Sequence, residues 1–216
     1  MIVLSVLTVT IVAVAVLAFV LSRPALDRGE QAGGNVAPPT SVRTPPTLAE
    51  SEFQGYRDDD AGFSLRYPKT WLRYVPPASD IRLAVAINPP STDGFWVRVL
   101  PIQTEATQQN IQNFKAVTDA VVFGDQRNKL IQEQLVLVNN RLAYYYLYTF
   151  EDDITRNQGI HAHYFIFDGL RMFSLVFQSV PTDNFTRQAG IFDQIAESFV
   201  AETPRVTTTT PPTTAG

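Results

Sequence analysis

The stretch from residue 141 to residue 180 constrains the fold of this chain most, because apolar residues dominate it and favour paired β-strands. Asp168-Gly169 separates two of its apolar runs, and an Asp-Gly pair accepts the positive φ angles of a tight type I′ hairpin turn. Both faces of the predicted hairpin are apolar, so other elements must cover each of them. The two-residue turn predicts four facing pairs: Tyr164 with Phe173, Ala162 with Leu175, Phe165 with Met172, and His163 with Ser174.

Length, charge and cysteine content narrow the class of protein. A chain of 216 residues suits one folded domain with accessory segments. Its net charge of -4 argues against a nucleic-acid partner, because binding to phosphates needs a basic surface. The chain has no cysteine, which excludes disulfides, thiol nucleophiles and thiolate metal ligands.

Residues 1–22 predict a single transmembrane helix. They contain no charged side chain, and about 20 apolar residues are enough to cross a ~30 Å hydrocarbon core. A cleaved signal peptide and a buried helix of the folded domain are the alternatives. The signal peptide is disfavoured because no basic segment precedes the apolar run, which also exceeds the usual length of about 7–15 residues.

Residues 23–51 predict a Pro/Gly/Thr-rich linker, and residues 203–216 predict a disordered Thr/Pro-rich tail. Between them lies the predicted domain, residues 52–202. Arg23 and Arg28 follow the apolar run and, by the positive-inside rule, favour a cytoplasmic domain. Pro/Thr-rich tethers are, however, common on exported bacterial domains. The interpretation that we carry forward is a single-pass membrane protein with its domain on the extracytoplasmic side.

Two segments of the predicted domain have helical periodicity. Thr104 is the expected cap of the first helix, which ends at Gly124. The second helix opens at residues 181–183, with Thr182 as its cap. The expected buried stripes are Ile111, Phe114, Val117 and Val121 in the first helix, and Phe185, Ala189, Phe192, Ile195 or Ala196, and Phe199 in the second.

Strand patterns surround these helices, and Asn139-Asn140 predicts another two-residue hairpin turn. The element order is strands, a helix, several antiparallel strands and a final helix. Two amphipathic helices and a sheet with two apolar faces predict an α+β fold, in which helices flank an antiparallel β-sheet as an α/β/α sandwich.

Two motifs give the chain a family resemblance. Residues 62–71, GFSLRYPKTW, resemble the opening signature G-(F/Y)-x-(F/L)-x-Y-P-x-x-W of PsbP-like proteins, and residues 192–199, FDQIAESF, resemble the final helix of that family. The resemblance covers about residues 53–200. It implies the Mog1/PsbP-like fold, which also occurs in the LpqN-like envelope proteins of actinobacteria.

The resemblance also implies a binding role. PsbP-like members resemble accessory subunits and assembly factors of photosynthetic membrane complexes, Mog1 binds a small GTPase, and LpqN-like proteins have proposed lipid-related roles. The matching motif is structural, since Tyr67, Pro68 and Trp71 shape a corner and a core, and it transfers no site residue to this chain.

His161 and His163 are the candidate metal ligands. They lie two residues apart, so on a strand both point to the same face, as a His-x-His metal pair requires. Asp152 and Asp153 precede them and are a possible carboxylate source. The alternative is that both imidazoles hydrogen-bond to neighbours such as Ser174. Because no third ligand converges on them, the sequence predicts no metal and no cofactor.

Tyr144, Tyr146 and Tyr148 share one face of their predicted strand and are the candidates for a ligand groove or a protein interface. The alternative is core packing beneath a helix.

The chain has no Gly-x-Ser-x-Gly elbow and no glycine-rich phosphate loop, so no enzyme is predicted. The leading prediction is a membrane-tethered, non-enzymatic accessory domain that binds a protein partner or a membrane complex. The alternative is an extracytoplasmic protein that binds a small apolar ligand or a lipid between its sheet and a helix. An enclosed cavity of ~300 Å³ or more beside the tyrosine face favours the ligand binder. A filled core with an exposed apolar patch favours the interaction protein.

Overall fold

The structure is a computed structural model that describes residues 46–75, 80–87, 93–153 and 155–205. The contacts divide the chain into two units, Met1–Val42 and Arg43–Gly216, and all described residues belong to the second. The predicted membrane span at residues 1–22 and most of the predicted linker and tail lie outside the described residues. Among the helices that are described, none is long and apolar enough to cross a membrane.

Ten strands and two α-helices make up the described fold. The helices are α1 (Gln112–Phe123) and α2 (Phe185–Glu197). The strands are β1 (Phe53–Asp58), β2 (Phe63–Pro68), β3 (Leu72–Arg73), β4 (Ile81–Ala86), β5 (Gly94–Pro101), β6 (Lys129–Val138), β7 (Arg141–Glu151), β8 (Gln158–Asp168), β9 (Arg171–Ser179) and β10 (Val200–Ala201).

Seven strands form one antiparallel sheet in the order β3-β4-β5-β9-β8-β7-β6. Both faces of the central strands β8 and β9 are buried, as their apolar sequence predicts. Helix α1 covers one face through Val122, together with Ile111 just before the helix, and α2 covers the other through Phe192 and Ile195. The predicted α+β fold, an antiparallel sheet with a helix on each side, is therefore present in the described residues.

A second sheet of three strands, in the order β1-β2-β10, was not predicted. It packs against the α2 side of the large sheet through aromatic rings. The ring centroid of Phe63 in β2 lies 6.0 Å from that of Phe173 in β9 and 6.0 Å from that of Phe199 just after α2. The motif from Phe63 to Trp71 thus supplies core residues that join the two sheets to the end of α2.

The β8–β9 hairpin differs from the prediction by one residue. Its turn is Gly169-Leu170, with Gly169 at φ +58°, and Asp168 is the last strand residue, paired with Arg171. Each predicted facing pair is therefore shifted by two positions, so that Tyr164 faces Leu175 and Phe165 faces Ser174. Asp168 stays in the strand because its carboxylate accepts hydrogen bonds from Arg141 at 2.7 Å and from Arg171 at 2.6 Å. A shift of two keeps every side chain on its predicted face.

The buried face of α1 also differs from the predicted stripe. Ile111 and Val122 are buried as part of the core, but Val117 and Val121 are both 49% exposed, and Thr118 takes the inner position. A threonine is tolerated there because its Oγ1 lies 2.7 Å from the hydroxyl oxygen of Tyr146, so its polar group is satisfied.

The starts of both helices lie later than predicted. Helix α1 begins at Gln112 rather than after Thr104, and neither Ile111 before it nor Asn184 before α2 makes a side-chain cap. Thr182 opens a 3-10 turn, Thr182–Asn184, and α2 follows at Phe185. The turn is fixed from outside the helix by Asp93, which accepts hydrogen bonds from the backbone N–H of Val180 and from the side chain of Asn184.

The predicted Asn139-Asn140 turn is confirmed, and it provides a matched pair of substitutions. Both residues have positive φ, 46° and 64°, which glycine accepts without strain. Only Asn139 reaches α2, donating through Nδ2 to the carbonyl oxygens of Glu197 and Phe199.

We therefore expect Asn139→Gly to lower the free energy of unfolding by about 1 to 2 kcal/mol, because the carbonyl of Glu197 at the end of α2 and that of Phe199 just after it lose their donor. Asn140→Gly should change it by less than about 0.5 kcal/mol. Urea denaturation of the two variants measures the difference. Equal destabilisation by both would show that the hydrogen bonds to α2 contribute nothing.

Candidate functional site

The two histidines lie in a continuous chain of hydrogen bonds on the α1 face of the sheet. His161 Nε2 donates to Gln178 Oε1 at 2.7 Å, and its Nδ1 lies 3.1 Å from the hydroxyl oxygen of Tyr148. His163 Nδ1 lies 3.4 Å from the same hydroxyl, and its Nε2 lies 2.8 Å from Ser174 Oγ. The predicted alternative, hydrogen bonding to neighbours such as Ser174, describes this arrangement.

This chain of hydrogen bonds leaves no imidazole nitrogen with an unused lone pair for a metal ion. Asp152 and Asp153, the predicted carboxylate sources, have other roles. Asp152 accepts from the backbone N–H of Thr155 at 2.7 Å, and Asp153 pairs with Arg127 at 2.7 Å. In the described part of the chain, no three His, Asp or Glu side chains form a group that can hold a metal.

Burial keeps both imidazoles neutral. It lowers the pKa of His161 to about 4, against a smaller opposing effect of the Gln178 hydrogen bond. Burial also lowers the pKa of His163 well below its ordinary value, and the charge of Arg98, together with that of His161 when its ring is protonated, acts in the same direction. The rings pack as aromatic residues do: His161 stacks on Phe150 with 4.0 Å between centroids.

The candidate tyrosines lie beneath helix α1. Tyr144, Tyr146 and Tyr148 share one face of β7, as predicted, and are only 3%, 0% and 5% exposed. Val122 of α1 and Ile111 just before the helix pack in the same cluster. This arrangement matches the core-packing alternative. A contact role for the three tyrosines stays a prediction and requires that α1 move away from the sheet.

Tyr146 also belongs to a network of contacts between the charged residues of α1 and the sheet. Its hydroxyl donates to Asp119 Oδ1 at 2.7 Å, and Asp119 pairs with Lys115, whose Nζ lies 2.9 Å from Glu133 Oε1 in β6. Partial burial acts to raise the pKa of Asp119, but the hydrogen bonds from Lys115 and Tyr146 outweigh it and hold this pKa below its ordinary value. Lys115 and Asp119 are the only charged residues of α1, so none is left for its outer face.

The surface next to this network is uncharged and mainly apolar, and we call it the α1–β6 surface. It consists of the outer face of α1 and the adjacent part of the edge strand β6. Glu133 places β6 beside α1, and Leu135 and Leu137, two and four residues further on, are 44% and 63% exposed. Its residues are Asn113, Ala116, Val117, Ala120 and Val121 of α1, with Leu135 and Leu137 of β6.

The opposite face of the sheet carries a groove of about 220 Å³ beside helix α2, which we call the α2 groove. Tyr145 and Tyr164 lie in it with ring centroids 4.8 Å apart, and Asp193 and Glu197 of α2 form one wall. The remaining residues that line it come mainly from β6 and its turn: Gln134, Val136, Leu137, Val138, Asn139 and Ala196.

The α2 groove is acidic. Residue Asp193 is exposed overall, but the groove walls partly remove water from its carboxyl group. This desolvation raises the pKa of the carboxyl group above its ordinary value. The nearby Glu197 carboxylate acts in the same direction, and the hydrogen bond with Tyr164 opposes them. Among the described residues, no Lys, Arg or His forms an ion pair with either carboxylate of this wall.

Sequence reasoning missed the α2 groove because it depends on strand pairing and helix placement. The spacing of Asp193 and Glu197 puts both on one side of a helix, and this signal is present in the sequence. The pairing of Tyr145 with Tyr164 follows only from the register between β7 and β8. No local pattern sets that register, because the loop between the strands contains no short turn motif.

The buried histidines predict a loss of stability in mild acid. The unfolded chain binds protons at its two histidines near pH 6.5, whereas the folded state keeps both rings neutral to lower pH. The unfolded state therefore binds more protons in this window, and the free energy of unfolding should fall as the pH falls from about 6.5 to 5, by at most about 1.4 kcal/mol per pH unit for each histidine.

The variant His161→Gln/His163→Gln removes both histidines of the chain. We expect its free energy of unfolding to be lower than that of the wild-type chain at pH 7.5 but nearly independent of pH between 6.5 and 5. Urea denaturation at each pH measures these values. An unchanged slope in this variant would assign the acid sensitivity to other groups.

The raised pKa of Asp193 predicts an effect on stability whose sign is opposite to that of the histidines. Because its pKa is higher in the folded state, the folded chain holds its proton more tightly, and the charged carboxylate costs stability at neutral pH. Asp193→Asn should raise the free energy of unfolding at pH 7 by a small amount, about 0.5 kcal/mol or less after solvent screening. At pH 3 the gain should vanish, because the carboxyl is protonated in both states.

The control for this prediction is Asp60→Asn, which removes an exposed carboxylate that does not line the groove. A loss of stability in Asp193→Asn at pH 7 would contradict the prediction, since it would mean that the carboxylate stabilises the fold through Tyr164.

Known proteins resemble this chain in the region of the domain. The family model described as PsbP matches residues 51–201. No curated protein matches the chain. The solution structure of the cyanobacterial PsbP protein CyanoP from Synechocystis sp. PCC 6803 has a TM-score of 0.52 and 14% sequence identity, and the match covers 74% of this chain and 98% of that one.

Two further solved structures are similar at lower scores. LpqN of Mycobacterium tuberculosis, described as involved in cell envelope biogenesis, has a TM-score of 0.48 and 12% identity over 73% of this chain and 98% of that one. The Ran-binding protein Mog1p of Saccharomyces cerevisiae has a TM-score of 0.43 and 10% identity over 70% of this chain and 96% of that one. Because the PsbP model spans well over half of the sequence, and the predicted resemblance is thereby confirmed, this chain belongs to the PsbP family.

Proposed function

We propose that this chain is a non-enzymatic accessory domain that binds a protein partner through the α1–β6 surface. The observation that carries the proposal is the uncharged outer face of α1. Ala116, Val117, Ala120 and Val121 are all exposed there, while both charged residues of the helix are used in contacts with Tyr146 and Glu133. A solvent-facing helix normally places charged and polar residues on that side. Membership of the PsbP family supports a binding role in general.

A protein fits this surface better than a lipid layer does. Strand β6 ends the sheet, and no other strand in the described residues pairs with its outer edge. Its free N–H and C=O groups need hydrogen-bonding partners, which a protein backbone supplies and hydrocarbon does not. A helix that lies on a membrane also carries several Lys or Arg residues, whereas the single lysine of α1 is paired with two carboxylates.

The packing beneath α1 argues against the alternative of an apolar ligand at the tyrosine face. Tyr144, Tyr146 and Tyr148 are at most 5% exposed, so this face is filled by the protein itself. The α2 groove, at about 220 Å³ with two carboxylates in its wall, is smaller than the roughly 300–1,000 Å³ of most small-molecule sites and unsuited to a lipid chain.

The proposal includes a membrane tether. Residues 1–22 would anchor the chain as a single span, and residues 23–51 would act as a spacer that holds the domain on the extracytoplasmic side. Tethering raises the effective concentration of the domain for partners in the same membrane. A reporter fused after Gly216 tests the topology: activity of a reporter that works only in the cytoplasm would reverse the proposed side.

Site-specific photocross-linking of the full chain tests the contact surface. A benzoylphenylalanine at position 117 or 121 should give a discrete cross-linked protein in the native membrane, because these positions face the proposed partner. The same group at position 75 or 170, where Val75 and Leu170 are also exposed, is the control and should give none.

A matched pair of double variants gives the energetic test. Val117→Lys/Val121→Lys should reduce co-purification of the cross-linked protein in mild detergent at least tenfold, about 1.4 kcal/mol. Val75→Lys/Leu170→Lys should leave it unchanged, and neither variant should alter the domain's stability by more than about 0.5 kcal/mol. Recovery of the bait alone from cells at native abundance, with no adduct at 117 or 121, would contradict the proposed function.

A further inference from the structure

We propose that the α2 groove receives an arginine side chain of a protein partner, carried on an extended segment that lies along the free edge of β6. This inference rests on the proposed function, because it names the chemistry by which the same kind of partner is recognised. It adds a second contact, on the face of the sheet opposite to α1.

The carboxylates and aromatic rings of the groove indicate that its ligand is a cation. Asp193 and Glu197 lie one helical turn apart on α2, and among the described residues neither has a basic partner. Tyr145 and Tyr164 add two aromatic rings to the same space. A guanidinium group satisfies both features, because its planar fork pairs with carboxylates while its face stacks on aromatic rings.

The size of the groove favours one side chain over a free molecule. Its volume of about 220 Å³ lies below the range of typical small-molecule pockets. A single long side chain needs less room, and the segment that carries it stays outside the groove.

The position of the groove points to an extended segment. Gln134, Val136 and Val138 of β6 line it, and β6 is the strand whose outer edge is unpaired. A segment that pairs with this edge would lie about 4.8 Å from β6, and every second side chain would point to the α2 side of the sheet. An arginine at such a position has the length to reach over β6 towards Asp193 and Glu197.

The probe is the peptide Ac-Thr-Val-Arg-Val-Thr-amide, and its matched control contains citrulline in place of arginine. Citrulline keeps the shape of the side chain and removes its charge. Each peptide is titrated into the ¹⁵N-labelled full chain in mild detergent, and amide shifts are followed in β6 and at the end of α2. We expect millimolar binding of the arginine peptide and at least tenfold weaker binding of the citrulline peptide.

Two charge-matched variants locate the site. Asp193→Asn/Glu197→Gln removes the proposed carboxylates, and Asp60→Asn/Glu105→Gln removes two exposed carboxylates elsewhere, so the net charge changes equally. We expect the first variant to weaken arginine-peptide binding at least tenfold and the second to leave it within twofold.

Two results would overturn the inference. The first is equal binding of the two peptides, and the second is equal binding by the two double variants. If Asp193→Asn/Glu197→Gln binds no peptide while cross-links from positions 117 and 121 persist, the result supports the groove as a contact separate from the α1–β6 surface. If the wild-type chain binds neither peptide while those cross-links persist, the inference fails and the proposed function stands.

Discussion

The central hairpin of β8 and β9 carries apolar side chains on both of its faces, and this constraint organises the rest of the domain. Phe165 and Met172 must be covered on one side, and Ile166 and Phe173 on the other. A single amphipathic helix has one apolar stripe and can cover only one face, so two helices are needed. The small sheet contributes Phe63 to the α2 side, where α2 alone leaves part of the large sheet uncovered.

Covering the α1 face requires an unusual helix. Helix α1 lies over a strand face with three tyrosines, whose hydroxyl groups must find partners when they are buried. Thr118 and Asp119 meet Tyr146, and the backbone carbonyl of Ile111 accepts from Tyr144. Both charged groups of α1 are thus used on its inner side, and its outer side consists mainly of alanine and valine. The exposed apolar face and the buried polar network of α1 therefore have the same cause, which is the contact of its charged residues with the sheet.

Much of the fold follows from patterns that act over a few residues. The paired strands, the Asn139-Asn140 turn and the apolar stripe of α2 were all predictable, because alternation, turn chemistry and helical periodicity are local. The errors arose where a distant residue decides the outcome. Asp168 is held in its strand by Arg141, so the turn falls one residue later than the Asp-Gly pair indicates. The rotation of α1 depends on Tyr146, which accepts Thr118 as an inner residue.

The candidate sites were less predictable than the fold. That His161 and His163 share a face follows from alternation, but whether they face water, metal or protein depends on Tyr148 in β7 and on Ser174 and Gln178 in β9, the strands on either side of β8. The three tyrosines were placed on the correct strand face, but whether α1 would cover them was not decided by the sequence. The α2 groove is assembled from β6, β7, β8 and α2, and no short segment contains its chemistry.

The amide of Asn139 joins the tip of the β6–β7 hairpin to the last turn of α2. That hairpin contains the free edge of the sheet, whereas α2 supplies the acidic wall and also packs against the core that holds the small sheet. A load applied along β6, such as a neighbour that moves with a membrane complex, would therefore reach the helix through this side-chain amide as well as reaching β7 through the strand pairing. The domain has in this residue a mechanical link between its outermost strand and its centre.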